Sequence, residues 1–135
     1  MKFSINQAEE WIGVAKQIIP QIQHRILLLE GNLGAGKTTF SQVLLKELGS
    51  TDEVSSPTYA IVNEYETPKG KVFHFDLYRL RSAEEAYDLG IEEYLENCYL
   101  AIIEWPEVYI HELKRYPHHK MTIISTDSGR EIEFY

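Results

Sequence analysis

One stretch constrains this chain more than any other. From Gly31 to Thr38 it reads G-N-L-G-A-G-K-T, so Gly31 and Gly36 stand at the ends of a short loop and Lys37 and Thr38 follow directly. That is the spacing G-x-x-x-x-G-K-[ST] of a phosphate-binding loop. Glycine lets the backbone turn tightly around an anion, so the amides of Gly34, Ala35, Gly36, Lys37, Thr38 and Thr39 are expected to point at the phosphates of a nucleoside triphosphate. Lys37 would reach the β- and γ-phosphates, and the Thr38 hydroxyl would ligate Mg²⁺.

The pattern alone would arise by chance in roughly one chain of this size in a few hundred, so its flanks decide. Arg25 to Glu30 (R-I-L-L-L-E) is a short apolar run with the length of a buried parallel strand. Lys37 to Leu48 then places Phe40, Val43, Leu44 and Leu48 at helical spacing before Gly49. Strand, loop and helix stand in the order that phosphate binding requires. The expected fold is a single α/β domain over 1–135, a P-loop NTPase with a mixed sheet, central parallel strands, antiparallel hairpins and flanking helices.

The remaining elements follow from local chemistry. Asn6 with Glu9 reads as a helix cap and its partner, with Ala8, Ile12, Ala15 and Ile19 on one apolar face up to Pro20. Gly49 to Ser56 is polar and reads as a mobile loop. Ala60 to Glu66 and Lys71 to Tyr78, separated by T-P-K-G, predict an antiparallel hairpin with a four-residue connection. Ser82 with Glu85 makes a second capping box, for a helix stopping near Gly90, and Ile91 to Asn97 adds a short helix. Tyr99 to Ile103 is a second buried central strand ending at Glu104. Met121 to Thr126 and Glu131 to Tyr135 flank D-S-G-R, a hairpin expected to close the domain with an antiparallel edge.

Charge narrows the function. The net charge is −8, with 13 basic against 21 acidic residues. That leaves no surplus of Lys and Arg to displace phosphate counterions, which argues against unaided binding to RNA or DNA. Cys98 is the sole cysteine, which excludes an internal disulfide and a cysteine-based zinc site and suits a reducing, cytoplasmic setting. Neither a membrane-length apolar run nor a signal-peptide core is present, and the isolated chain is expected to be a monomer.

In nucleotide-binding α/β sheets the ligand sits beyond the carboxyl ends of the strands. Asp76, ending V-F-H-F-D, and Glu104 are therefore the carboxylates expected to manage Mg²⁺ and water. The two-residue period of a strand puts His74 on the same side as Asp76. Ser55 to Tyr59 (S-S-P-T-Y) delivers the Thr58 hydroxyl from a loop stiffened by Pro57, a layout suited to a switch that senses the γ-phosphate and its metal. His118 and His119 read as solvated loop residues without chemistry, and Trp105 draws notice because it adjoins Glu104.

Taken together, G-N-L-G-A-G-K-T-T-F, S-P-T-Y, H-F-D-L-Y-R-L, D-L-G-I-E-E-Y and I-E-W-P-E follow one another as in bacterial TsaE proteins, formerly YjeE, and the chain resembles that family over most of its length. The resemblance implies an ATPase, weak until assembled, required for making threonylcarbamoyladenosine in tRNA with the transferase TsaD and its paralogue TsaB. Residue by residue, it implies Lys37 and Thr38 as phosphate and metal ligands, Thr58 as the switch threonine, Asp76 as a Walker-B-like aspartate and Glu104 as a metal-linked glutamate. Trp105 matches the tryptophan of the same motif, and Asn6 and Arg130 lie where nucleotide contacts are expected. Glu9 departs from the pattern, since threonine is expected there in many relatives. Two competing readings remain open: a nucleotide-dependent binding module without significant turnover, and a small-molecule kinase, which would need an acceptor pocket and an arginine-bearing lid.

Overall fold

The computed structural model describes residues 1–51 and 61–135. At its centre, β2 (Ile26–Glu30) lies between two parallel neighbours, β5 (Leu100–Glu104) and β6 (His119–Ser125). Strands so placed are covered on both faces, which is why I-L-L-L-E and L-A-I-I-E are continuously apolar up to their terminal carboxylates. The full order is β1 (Lys2–Ile5), β7 (Arg130–Phe134), β6, β2, β5, β4 (Gly70–Asp76) and β3 (Val62–Thr67), with β4 parallel to β5. Antiparallel strands stand outside this parallel core: β3 (Val62–Thr67) on one side and β7 (Arg130–Phe134) on the other.

Alternation along the strands divides the core in two. Leu27, Leu29, Leu100 and Ile102 pack against α1 (Trp11–Ile18) and α2 (Lys37–Glu47). Ile26, Leu28, Ala101 and Ile103 pack on the opposite face against α3 (Ala83–Asp88), α4 (Ile91–Glu96) and the helical segment 106–113. A mixed α/β sheet with helices on both faces is thus the observed architecture. Among the described residues no helix is long and apolar enough to cross a membrane.

Several expectations need correction. The chain begins with a strand, β1 (Lys2–Ile5), antiparallel to β7, so β1 and not the final hairpin forms that edge of the sheet. The first strand of the final hairpin instead extends the parallel core. The buried stripe of α1 is Trp11, Val14, Ala15 and Ile18, while Ile12 is exposed; the stripe is rotated by about one residue from Ala8, Ile12, Ala15 and Ile19. Glu10, not Glu9, closes back on the Asn6 amide, and Asn6 makes no side-chain cap because the first turn starts beyond Gln7. The β3–β4 connection is tighter than four residues, since Thr67 and Gly70 already pair across the ladder.

The capping box at Ser82 forms as its chemistry dictates, with the Glu85 amide donating to Ser82 Oγ and the Glu85 carboxylate accepting from the Arg81 amide. His119 is not a solvated loop residue. It lies buried in β6, where Nε2 accepts from the amides of Gln23 and His24 and Nδ1 donates to the Tyr135 carbonyl. The loop Ser55 to Tyr59 with Thr58, and Ala60 of the expected strand, lie outside the described residues.

Candidate functional site

The loop after β2 is shaped by two glycines under opposite constraints. A Cβ on Gly31 would sit 2.7 Å from the Ile123 carbonyl of β6, so the loop leaves the sheet through a gap that admits no side chain. Gly36, the N-cap of α2, has φ +117 and would press a Cβ to 2.9 Å from the Trp11 ring. The left-handed turn there aims the N-terminus of α2 into a cleft, and helix N-termini favour anions because their first amides lack intrahelical partners. Arg130 braces the loop from outside, donating from Nε to the Ala35 carbonyl at 2.7 Å and from Nη2 to the Gly34 carbonyl at 3.4 Å.

That cleft encloses about 470 Å³. Of the residues singled out by sequence, Asn6, Gly34, Gly36, Lys37, Thr38, Thr39, Asp76, Glu104, Trp105 and Arg130 line it. Ala35 does not: its methyl group is buried beneath the loop and its amide donates to the Asn32 carbonyl. Thr58 lies outside the described residues. Sequence reasoning did not single out Trp11, which walls the cleft from α1, although the stripe of Trp11, Val14 and Ile18 was available to find it. It also missed Glu107, whose charge acts on Lys37 from the turn after β5.

At the floor, β4 and β5 run in register, Asp76 opposite Glu104 and His74 opposite Ile102. The alternation that sends Leu100 and Ile102 toward α2 sends His74, Asp76 and Glu104 the same way. Glu104 is only 2% exposed. Thr38 Oγ1 donates to its carboxylate, 3.2 Å from Oε1 and 3.4 Å from Oε2, and Oε2 is also hydrogen-bonded to His74 Nε2. Asp76 is half-buried and uses Oδ1 to accept from the Tyr78 amide at 3.0 Å. One oxygen of this carboxylate therefore holds a turn, as strand-end aspartates commonly do.

Lys37 is 5% exposed, and Nζ donates to the Gly31 carbonyl at 2.6 Å while lying 3.3 Å from the centroid of the Trp105 ring. Burial holds its ammonium below the ordinary lysine range, with Glu104, Glu107 and Asp76 partly opposing that shift. Trp105 adopts φ 56, ψ 56, a left-handed conformation that side chains and a following proline both disfavour. Tyr78 supports its indole at 4.9 Å between centroids.

The donor set suits a hard cation with a polyphosphate. Its candidate ligands are oxygens, Thr38 Oγ1 and the carboxylates of Glu104 and Asp76. Among the described residues no group of three His, Cys, Asp or Glu forms a complete cage. Magnesium is commonly held by one or two carboxylates together with substrate phosphates rather than by such a cage. Carboxylates facing a single lysine would also repel a bare triphosphate, so a divalent cation reconciles the charges.

The profile of the family described as Threonylcarbamoyl adenosine biosynthesis protein TsaE matches residues 5–132. The chain belongs to the TsaE family. One member, the tRNA threonylcarbamoyladenosine biosynthesis protein TsaE of Rickettsia prowazekii, is 40% identical over 112 residues, covering 82% of this chain and 77% of that protein. The TsaE of Bacillus subtilis is 38% identical over 112 residues, covering 81% and 68%. The crystal structure of Bacillus subtilis YdiB superposes with a TM-score of 0.77 at 30% identity, covering 99% of this chain and 83% of that one. TsaE membership thus spans the whole cleft, from β1 to the hairpin carrying Arg130.

Proposed function

We propose that this chain is the ATP-binding and hydrolysing component of the bacterial machinery that makes threonylcarbamoyladenosine in tRNA, built as a P-loop NTPase and working in the cytoplasm with TsaD and TsaB. The observation that carries the reading is the convergence, in one cleft, of the 31–38 loop, the N-terminus of α2 and the carboxylates ending β4 and β5. Family membership supplies the pathway.

In this reading the loop amides and the Lys37 ammonium hold the β- and γ-phosphates. Thr38 Oγ1 and Glu104, with Asp76 and Thr58, would hold Mg²⁺, which would supply positive charge to offset that on the transferring phosphoryl oxygens. Glu104 or Asp76 orients the water in line with the bond that breaks. Lys37 stabilises the charge that develops on the leaving oxygen. Trp105, Asn6 and Arg130 contribute nucleotide contacts at the rim. The chain is monomeric alone and reaches tRNA through its partners, as its net charge of −8 favours.

Phosphate release measured with and without TsaD and TsaB tests this. Turnover that rises with both partners supports the ATPase. Unchanged turnover with retained ATP binding would favour a nucleotide-dependent binding module, and transfer of phosphate to a nucleoside would favour a kinase.

A further inference from the structure

We propose that His74 is a positioning residue that keeps Glu104 aimed at Thr38 and away from Lys37. The inference rests on the ATPase reading for its consequences in catalysis, but the contact itself stands on geometry. His74 is fully buried on the face of β4 that meets α2, beside the apolar Val72 and Ile102. An imidazole in such a place must satisfy two ring nitrogens. Nε2 meets Glu104 Oε2, whereas Nδ1 has no hydrogen-bond partner among the described residues. A buried polar atom left without a partner destabilises the fold, so the ring is poorly explained as core filling and well explained by what Nε2 does.

A carboxylate without a proton can only accept hydrogen bonds, so in the His74–Glu104 bond Nε2 is the donor. The other strong claimant on Glu104 is the Lys37 ammonium, which feels its charge in a poorly solvated site. Were the two to close into an ion pair, the lysine would be withdrawn from phosphate and the carboxylate from the metal side. Instead Lys37 donates to the Gly31 carbonyl, and Glu104, fixed through Oε2, presents Oε1 to Thr38 Oγ1 at 3.2 Å. His74 thus decides where the carboxylate lies from beneath the cleft, which it does not itself line. Partners of this kind, which orient a metal-side ligand, typically change metal affinity or activity by about 10- to 100-fold when replaced.

The first readout is the ring. In a ¹⁵N–¹H correlation spectrum the His74 proton is expected on Nε2, in the downfield range of a strong bond, and should move upfield in Glu104→Gln. An Nε2 that carries no proton, or a ring indifferent to Glu104→Gln, overturns the proposal whether or not ATP is hydrolysed. The second readout is partner-stimulated turnover. His74→Leu should lower kcat by about 10- to 100-fold with KM for ATP changed by less than about twofold. His74→Gln should recover most of the rate, because its amide nitrogen lies as many bonds from Cα as Nε2; His74→Asn, one bond shorter, should not. Parent-like turnover in His74→Leu, or a Gln variant as slow as the Leu variant while both melt like the parent, also overturns it. Should His74→Leu fail to fold, the Gln and Asn variants carry the same comparison. A parent that is not stimulated by its partners sinks the ATPase reading, and the ring spectrum then decides alone whether His74 holds Glu104.

Discussion

The Lys37 ammonium lies 3.3 Å from the centroid of the Trp105 ring, held there by a residue whose own backbone is left-handed. Such strain costs on the order of 1–3 kcal/mol and persists where the surroundings fix it, often at functional sites. Here it folds an indole over the one lysine of the loop. If phosphate engages Lys37, the surroundings of Trp105 must change. In a Trp11→Phe background, where Trp105 is the sole tryptophan, MgATP should therefore alter the emission in a saturable way. The same addition should do nothing in Lys37→Ala. An emission that stays constant while calorimetry registers binding would contradict this placement of nucleotide.

Lys37→Ala removes the one positive charge that the loop directs at the phosphates, so tight ATP binding should be abolished. Near-parent affinity by calorimetry in Mg²⁺ buffer would refute the assignment. Thr38→Ala leaves the amide cradle intact and should weaken mainly the Mg²⁺-dependent part of binding. An equal loss with and without Mg²⁺ would contradict that role.

His119 gives a pH dependence with a definite sign. Burial lowers its proton affinity below the ordinary value of 6.5, and Nε2 is engaged as an acceptor from two backbone amides. Below about pH 6.5 the unfolded chain binds a proton that the folded ring resists, so folding stability is full above that pH and falls as pH drops toward the lowered value. Urea denaturation between pH 7.5 and 5 should show this slope in the parent and a shallower one in His119→Gln. Equal slopes would mean that other groups set the acid sensitivity.

These cases show which parts of the structure are legible in the sequence. The loop, β2, β5 and the Ser82 cap are local: each is written in consecutive residues by a spacing or a run of apolar side chains. β1 was not legible because the alternation of Phe3 and Ile5 with Lys2 and Ser4 spans only four residues, and the strand is created by pairing with β7 at the other end of the chain. The stripe of α1 was ambiguous, because two sets of apolar residues offset by about one position both fit a helix, and only packing against Phe40 selects Trp11. The clasp of His119 on Gln23 and His24, and the bond of His74 to Glu104, depend on sheet order, which a single sequence does not reveal.

Surface charge predicts that the isolated protein binds tRNA weakly or not at all, with RNA dependence arising only in the assembled complex. A net charge of −8 offers few sites for counterion release. A tight, salt-sensitive band shift by this chain alone would overturn that expectation.

The central claim is that Glu104 and the 31–38 loop form one hydrolytic site, and phosphate release by Glu104→Gln in the presence of TsaD and TsaB tests it most directly. The substitution keeps the size of the side chain and removes its charge. ATP binding should fall modestly, while stimulated hydrolysis should fall by about two orders of magnitude or more, the scale of losing one electrostatic contributor to a transition state. Asp76→Asn supplies the control and should be the costlier change only if Asp76 alone positions the water. Hydrolysis at the parent rate in Glu104→Gln would contradict the account, leaving Glu104 a buried turn residue and Asp76 the carboxylate that matters.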